Sequence, residues 1–165
     1  MAWFSRKDKT TDEPSGSQAT PAPVEVDDTP LRPIVKRPGA EEQHRIATGL
    51  RELEAEGVDL DDLAALGAGY DAALAGWLRT GKRQREGHEV LVERYAVGIG
   101  EHLARHTDLS WALVTDALGT DLGLAGGRDE FVVVPSNLVT SRWLNEESGW
   151  VPGVVAHLVR IRASR

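Results

Sequence analysis

From Ala40 onward, apolar positions recur every three or four residues, and this spacing predicts amphipathic helices. Ile46, Leu50 and Leu53 form a first stripe, with Glu41 and Glu42 in its opening turn and Gly57 as its stop. Asp59 or Asp61 is placed to cap a second helix, whose stripe is Leu63, Leu66, Tyr70, Leu74, Trp77 and Leu78. Gly67 and Gly69 weaken its middle by about 1 kcal/mol each relative to alanine, which favours a kink there. Thr80-Gly81 closes it. A third helix is expected from about Glu86 to His106, with Leu91, Tyr95, Ile99 and Leu103 facing inward. Gly98 and Gly100 within it predict the close approach of another backbone.

The period then changes to two. Leu109 to Asp116 reads as a strand, with Trp111, Leu113 and Thr115 on one face and Ala112, Val114 and Asp116 on the other. Ala117 to Thr120 forms a turn, Asp121 to Ala125 a short second strand, and Phe131 to Val134 a third. Such short connections predict a three-stranded antiparallel meander. Ser136 or Asn137 caps a helix through Leu138, Val139, Arg142 and Trp143 to about Glu147, and Gly149 breaks it. Pro152 suits the first position of a final helix carrying Val154, Val155, Leu158 and Ile161. The class is α+β: three helices, a three-stranded antiparallel meander, then two helices. The Trp111, Leu113, Leu122 and Leu124 face is apolar, and the Ala112, Val114, Gly123 and Ala125 face is small. Neither reads as solvated, so helices cover both, or one face or the Phe131–Val134 edge meets a second subunit.

Residues 1–39 differ in kind. They hold six of the eight prolines, show no periodicity and cannot bury enough apolar surface to offset ordering entropy. The division expected is a disordered tail over 1–39 and a single domain over 40–165. The tail carries six acidic and six basic residues, so the whole net charge of −7 resides in the domain. With no cysteine, a disulfide scaffold, a thiolate metal site and a cysteine nucleophile are excluded. No apolar run reaches the roughly 18–20 residues of a membrane span, and the first residues lack the apolar stretch of a signal peptide, so a cytoplasmic location is expected.

The stretch Gly57-Val58-Asp59-Leu60-Asp61-Asp62-Leu63, then Leu66-Gly67-Ala68-Gly69-Tyr70-Asp71 and Trp77, resembles the front half of small actinobacterial domains of unknown function. Gly98-Ile99-Gly100-Glu101-His102-Leu103 and Trp111-Ala112-Leu113-Val114-Thr115-Asp116 with Gly119-Thr120 are similar to their central segment. Val134-Pro135 and Ser141-Arg142-Trp143 are similar to its end. The resemblance spans roughly residues 40–160 and implies a compact α+β domain; it implies no activity, cofactor or site residue.

Few residues invite chemistry. His102 and His106, four apart on one helix, have the spacing of a shared metal site, with Glu101, Asp108 or a remote carboxylate as a further ligand. The competing assignment is a helix-end cation at His106 beside a half-buried His102. Asp116 and Asp121 flank the first turn and fit a cation cradle, a split of acid and base roles, or ordinary turn chemistry, which dominates; the same holds for Asp129-Glu130. Ser136 lacks a nucleophile elbow and reads as a helix cap. Arg79, Lys82, Arg83 and Arg85 form the one basic cluster of an acidic domain, which disfavours a nucleic-acid role. Trp3 and Phe4 beside Arg6, Lys7 and Lys9 offer a weak contact with an anionic membrane surface. Trp77, Trp111 and Trp143 fall on apolar stripes and read as core. Trp150, between Gly149 and Pro152, has no periodic reason for burial and is the leading binding candidate, with Arg142 and Asp116 beside it.

Together these features predict a non-enzymatic module acting through a protein partner, a second copy of itself included, with no cofactor. The alternative is a small-ligand or metal-binding domain with a site near the histidines of the third helix and the sheet turns.

Overall fold

A computed structural model describes residues 32–81, 87–127 and 131–163. In these residues the chain runs β1 (Ile34–Lys36), α1 (Ala40–Ala55), α2 (Leu63–Arg79), α3 (Glu89–His106), β2 (Ser110–Asp116), β3 (Gly119–Gly126), β4 (Phe131–Val133), α4 (Pro135–Leu144) and α5 (Val151–Ala163). The α+β class holds, with a sheet of four antiparallel strands rather than three, in the order β1-β2-β3-β4. The extra strand comes from the stretch expected to be tail: Ile34, Val35 and Lys36 pair with Thr115, Val114 and Leu113 of β2. Residues 1–31 lie outside the described residues, as do Lys82, Arg83, Arg85, Asp129 and Glu130.

The helix ends correct several local expectations. At α1, the Gly39 amide donates to Glu42 Oε2 at 2.7 Å, and Gly57 leaves the helix at φ 75°, a conformation that costs glycine nothing. The cap of α2 is Asp62, whose Oδ1 accepts from the Ala64 amide at 2.8 Å, while Asp59 accepts from the Asp61 amide and forms the preceding turn. Helix α2 runs unbroken through Gly67 and Gly69, which are contact points: a Cβ on Gly67 would stand 2.9 Å from the Pro152 ring. Neither Ser136 nor Asn137 caps α4. Pro135 is its first residue and Val134 its cap, as suits a residue with no amide hydrogen to place.

Helix α3 is the axis of the domain and touches α1, α2, α4, α5, β2 and β3. Its glycines admit side chains, not a backbone. A Cβ on Gly98 would come within 2.6 Å of Leu53 Cδ1, and one on Gly100 within 2.2 Å of Trp111 Cη2. The core joins Leu53, Leu66, Tyr70, Tyr95, Ile99, Leu103, Leu124, Val139, Trp143 and Val155. Tyr70 is its aromatic hub, edge-on to Tyr95, Trp143 and Trp150 with centroids 5.5–5.8 Å apart.

Opposed residues of an antiparallel pair share a face, so the pairs Trp111–Leu124 and Leu113–Leu122 put the large side chains together. That face meets α3. On the other face Ala112 and Val114 are also buried. The β1 edge differs: Ile34 and Val35 are 47% and 46% exposed.

Candidate functional site

The residues singled out from sequence fall in three separate places. Asp116 ends β2, and its Oδ1 accepts from the Leu118 amide at 2.7 Å, which is turn chemistry. Beside it the Thr115 and Thr120 hydroxyls meet at 2.7 Å. Arg142 and Trp150 form a second place, at the junction of α4 and α5. The Arg142 guanidinium lies 4.5 Å over the Trp150 ring and donates to the Leu138 carbonyl. Trp150 is buried against Tyr70, whose hydroxyl faces the Trp150 indole N–H without a hydrogen bond of full geometry.

His102 and His106 are the third. The rings stack at 4.1 Å and 20°. Because a carbonyl can only accept, His102 carries its proton on Nδ1 and donates to Leu60, and His106 likewise donates from Nδ1 to the His102 carbonyl. Burial lowers the pKa of His102, opposed by the bond to Leu60. The further ligands expected for a metal are engaged elsewhere. Glu101 accepts from Arg105 and from the Trp111 indole, and Asp108 accepts from Arg162. Among the described residues no group of three or more His, Asp or Glu side chains is placed to hold a metal ion.

A pocket of about 230 Å³ opens elsewhere, between the first half of α3, the start of α4 and the Asp121 end of β3. At about 30 Å³ per water in the liquid, that is room for roughly eight waters or one small organic molecule. Val92, Ala96 and Val97 of α3, Trp111 of β2, Leu122 of β3 and Pro135 give it apolar walls. Arg45, His88, Glu89, Glu93, Asp121, Ser136 and Thr140 supply the polar groups.

Four of those polar groups, Arg45, Glu93, Asp121 and Ser136, are held by one another. Arg45 reaches from α1 to donate through Nε to Glu93 Oε1 at 2.6 Å and through Nη2 to Asp121 Oδ1 at 3.2 Å. Asp121 Oδ2 accepts from the Ser136 hydroxyl at 2.6 Å, and Oδ1 also accepts from the Leu122 amide at 2.7 Å. Asp121 thus sits at the first turn of α4, where a helix favours an anion. Burial works against the Arg45 charge, but the bonds and charges of Glu93 and Asp121 outweigh it and raise the pKa.

From sequence, Asp121 reads as a turn residue or half of a cation cradle with Asp116, Ser136 as a helix cap and Trp111 as core, while Arg45 and Glu93 carry no signal. No local signal could have joined them, since Arg45 lies 48 residues from Glu93 and 76 from Asp121. The α3 histidines do not reach the pocket. The last α3 residue in the lining is Val97, five positions before His102.

Residues 76–153, just under half of the chain, match the family described as Domain of unknown function (DUF3806). The match supports membership of an uncharacterised family, and its description carries no activity. The matched stretch runs from the end of α2 to the start of α5 and contains every pocket residue except Arg45. Neither the curated proteins nor the solved structures include a match to the chain. Among the described residues no helix is long and apolar enough to cross a membrane.

Proposed function

We propose that the domain binds a small molecule in the pocket between α3, β3 and α4. One observation carries this reading: the polar wall is already fixed. Arg45, Glu93, Asp121 and Ser136, drawn from four different elements, hold one another at hydrogen-bond distance beside an apolar floor. A concave apolar site with a few convergent polar groups is the usual form of a ligand site, and side chains fixed in advance spare a ligand the cost of ordering them. The reading is one of binding rather than turnover. The Ser136 hydroxyl donates a hydrogen bond to Asp121 and so serves as part of the fixed wall.

The test is an amide and indole NMR screen with a panel of small amines, acids and alcohols. Among the described residues Trp111 is the one tryptophan of the pocket wall. A ligand there moves the Trp111 indole and Leu122 amide signals while leaving those of Trp143 and Trp150 in place. A panel that leaves both untouched rejects the reading.

A role through protein contacts is the second reading, favoured by the β1 edge, where Ile34 and Val35 are exposed on a strand that, among the described residues, pairs on one side only. Light scattering of the full chain and of an Ile34→Lys variant tests it. A concentration-dependent dimer that the lysine abolishes supports it, and a strict monomer rejects self-association.

A further inference from the structure

We propose that the ligand of this pocket is a small organic cation, an alkylammonium with a short apolar body. The inference rests on the binding reading above and adds the ligand's charge. Three carboxylates, Glu89, Glu93 and Asp121, stand in the wall against one guanidinium, so with His88 neutral the formal balance is −2.

What decides the sign is where the positive groups are spent. An incoming anion would need donors, and the bonds that Arg45, Ser136 and the Leu122 amide make on this wall go to the protein's own carboxylates. Arg45 gives its Nε to Glu93 and Nη2 to Asp121, while the Ser136 hydroxyl and the Leu122 amide also go to Asp121. The first turn of α4, the other feature that attracts anions, already has Asp121 against it. Glu89 is the opposite case. Its side chain is 76% exposed and lies 4.0 Å from the His88 ring, so its carboxylate keeps acceptor capacity for a ligand.

The remaining wall is equally selective. Trp111 contributes an indole, the aromatic group with the strongest attraction for cations. Val92, Ala96 and Leu122 offer an apolar floor that an inorganic cation, which keeps its water, would leave unused. An ammonium head with an alkyl body satisfies both halves of the lining.

The experiment titrates the full-length protein at low salt with n-butylammonium, n-pentanol and pentanoate, three probes of similar length and different charge, reading the Trp111 indole and Leu122 amide signals. Butylammonium is expected to give saturable shifts at both, with pentanol at least threefold weaker and pentanoate weaker still. Glu89→Gln, at an exposed position, is expected to weaken butylammonium about threefold. Glu93→Gln, which also releases Arg45 Nε, is expected to weaken it further and to strengthen pentanoate.

If pentanol or pentanoate binds at these signals as tightly as butylammonium, the cation assignment is overturned while the pocket remains a ligand site. If both variants bind butylammonium as the wild type does, the assignment falls as well. Silence of all three probes at these signals rejects the binding reading itself.

Discussion

Gly100 and Trp111 fit only as a pair: a Cβ on the helix glycine would stand 2.2 Å from Cη2 of the strand tryptophan and 2.7 Å from Cζ2. The indole is tethered at its other end by the bond from Nε1 to Glu101 at 3.1 Å, so it cannot simply swing aside. Gly100→Ala is therefore expected to destabilise the domain by about 1–3 kcal/mol, the usual cost of overpacking, against a small gain in helix propensity. Gly153→Ala is the control, since that helical glycine has nothing within 4 Å and the change should stabilise by up to about 1 kcal/mol. Urea unfolding of the two variants checks both signs. Equal stability of Gly100→Ala and wild type would mean the indole has room to retreat.

That pair also marks how far the sequence could be read. Two glycines in α3 announced a close approach, and the stripes of Leu53, Leu66, Tyr70 and Leu103 announced which helix faces turn inward, because helical periodicity is written locally. The alternation in β2 and β3 was legible for the same reason. What approaches Gly100 was not, since tryptophan ring and glycine meet only through the packing of β2 on α3.

Strand β1 escaped notice on similar grounds. Three residues between Pro33 and Pro38 are too few to display a period of two, and their strand character comes from pairing with Leu113, Val114 and Thr115 some eighty residues later. The pocket is the extreme case. Arg45, Glu93, Asp121 and Ser136 are ordinary surface residues in their own neighbourhoods and become a site only because α1, α3, β3 and α4 converge.

Arg162 and Asp108 clasp the end of α5 to the start of β2. The Arg162 side chain is 3% exposed and meets the carboxylate with Nε at 2.9 Å and Nη2 at 2.7 Å, both to Oδ1. The bonds from Arg162 hold the Asp108 pKa below its ordinary value. A depressed carboxylate stabilises the fold fully above its unfolded pKa of about 3.9, and that contribution is lost as pH falls through the lower folded value. Asp108→Asn should therefore melt well below the wild type near pH 7, and the gap should narrow as the pH falls below about 4. Thermal melts of both proteins across that range make the comparison; a gap that stays constant would sink the charge argument.

Trp150 and Arg142 should behave as a buried residue and its cover. Trp150→Ala removes a core indole that packs on Tyr70, and the expected loss is about 3–5 kcal/mol. Arg142→Ala uncovers the ring and gives up its cation contact, for a loss of about 0.5–1 kcal/mol. The order of the two values, measured by denaturant unfolding, is the prediction. A Trp150→Ala loss no larger than that of Arg142→Ala would return Trp150 to the surface, as its sequence setting first suggested.

His102 predicts how stability changes on mild acidification. Burial lowers its folded pKa below the ordinary value of about 6.5, the Leu60 carbonyl opposes that shift, and nearby His106 and Arg105 add to it against Asp61. Below the ordinary value the unfolded chain takes up a proton that the folded chain still refuses. Stability from this residue is thus whole above about pH 6.5, drains as the pH falls beneath it, and levels off once the folded ring is protonated. His102→Gln keeps a side-chain donor for Leu60 but cannot titrate, so its stability should be flatter across this range. Urea midpoints taken from about pH 7.5 to 5 should show the wild type losing its margin over the variant as the solution acidifies. A margin unchanged at about pH 5 would mean the ring protonates as readily in the fold as outside it, and the stacked pair at the end of α3 would be indifferent to acid.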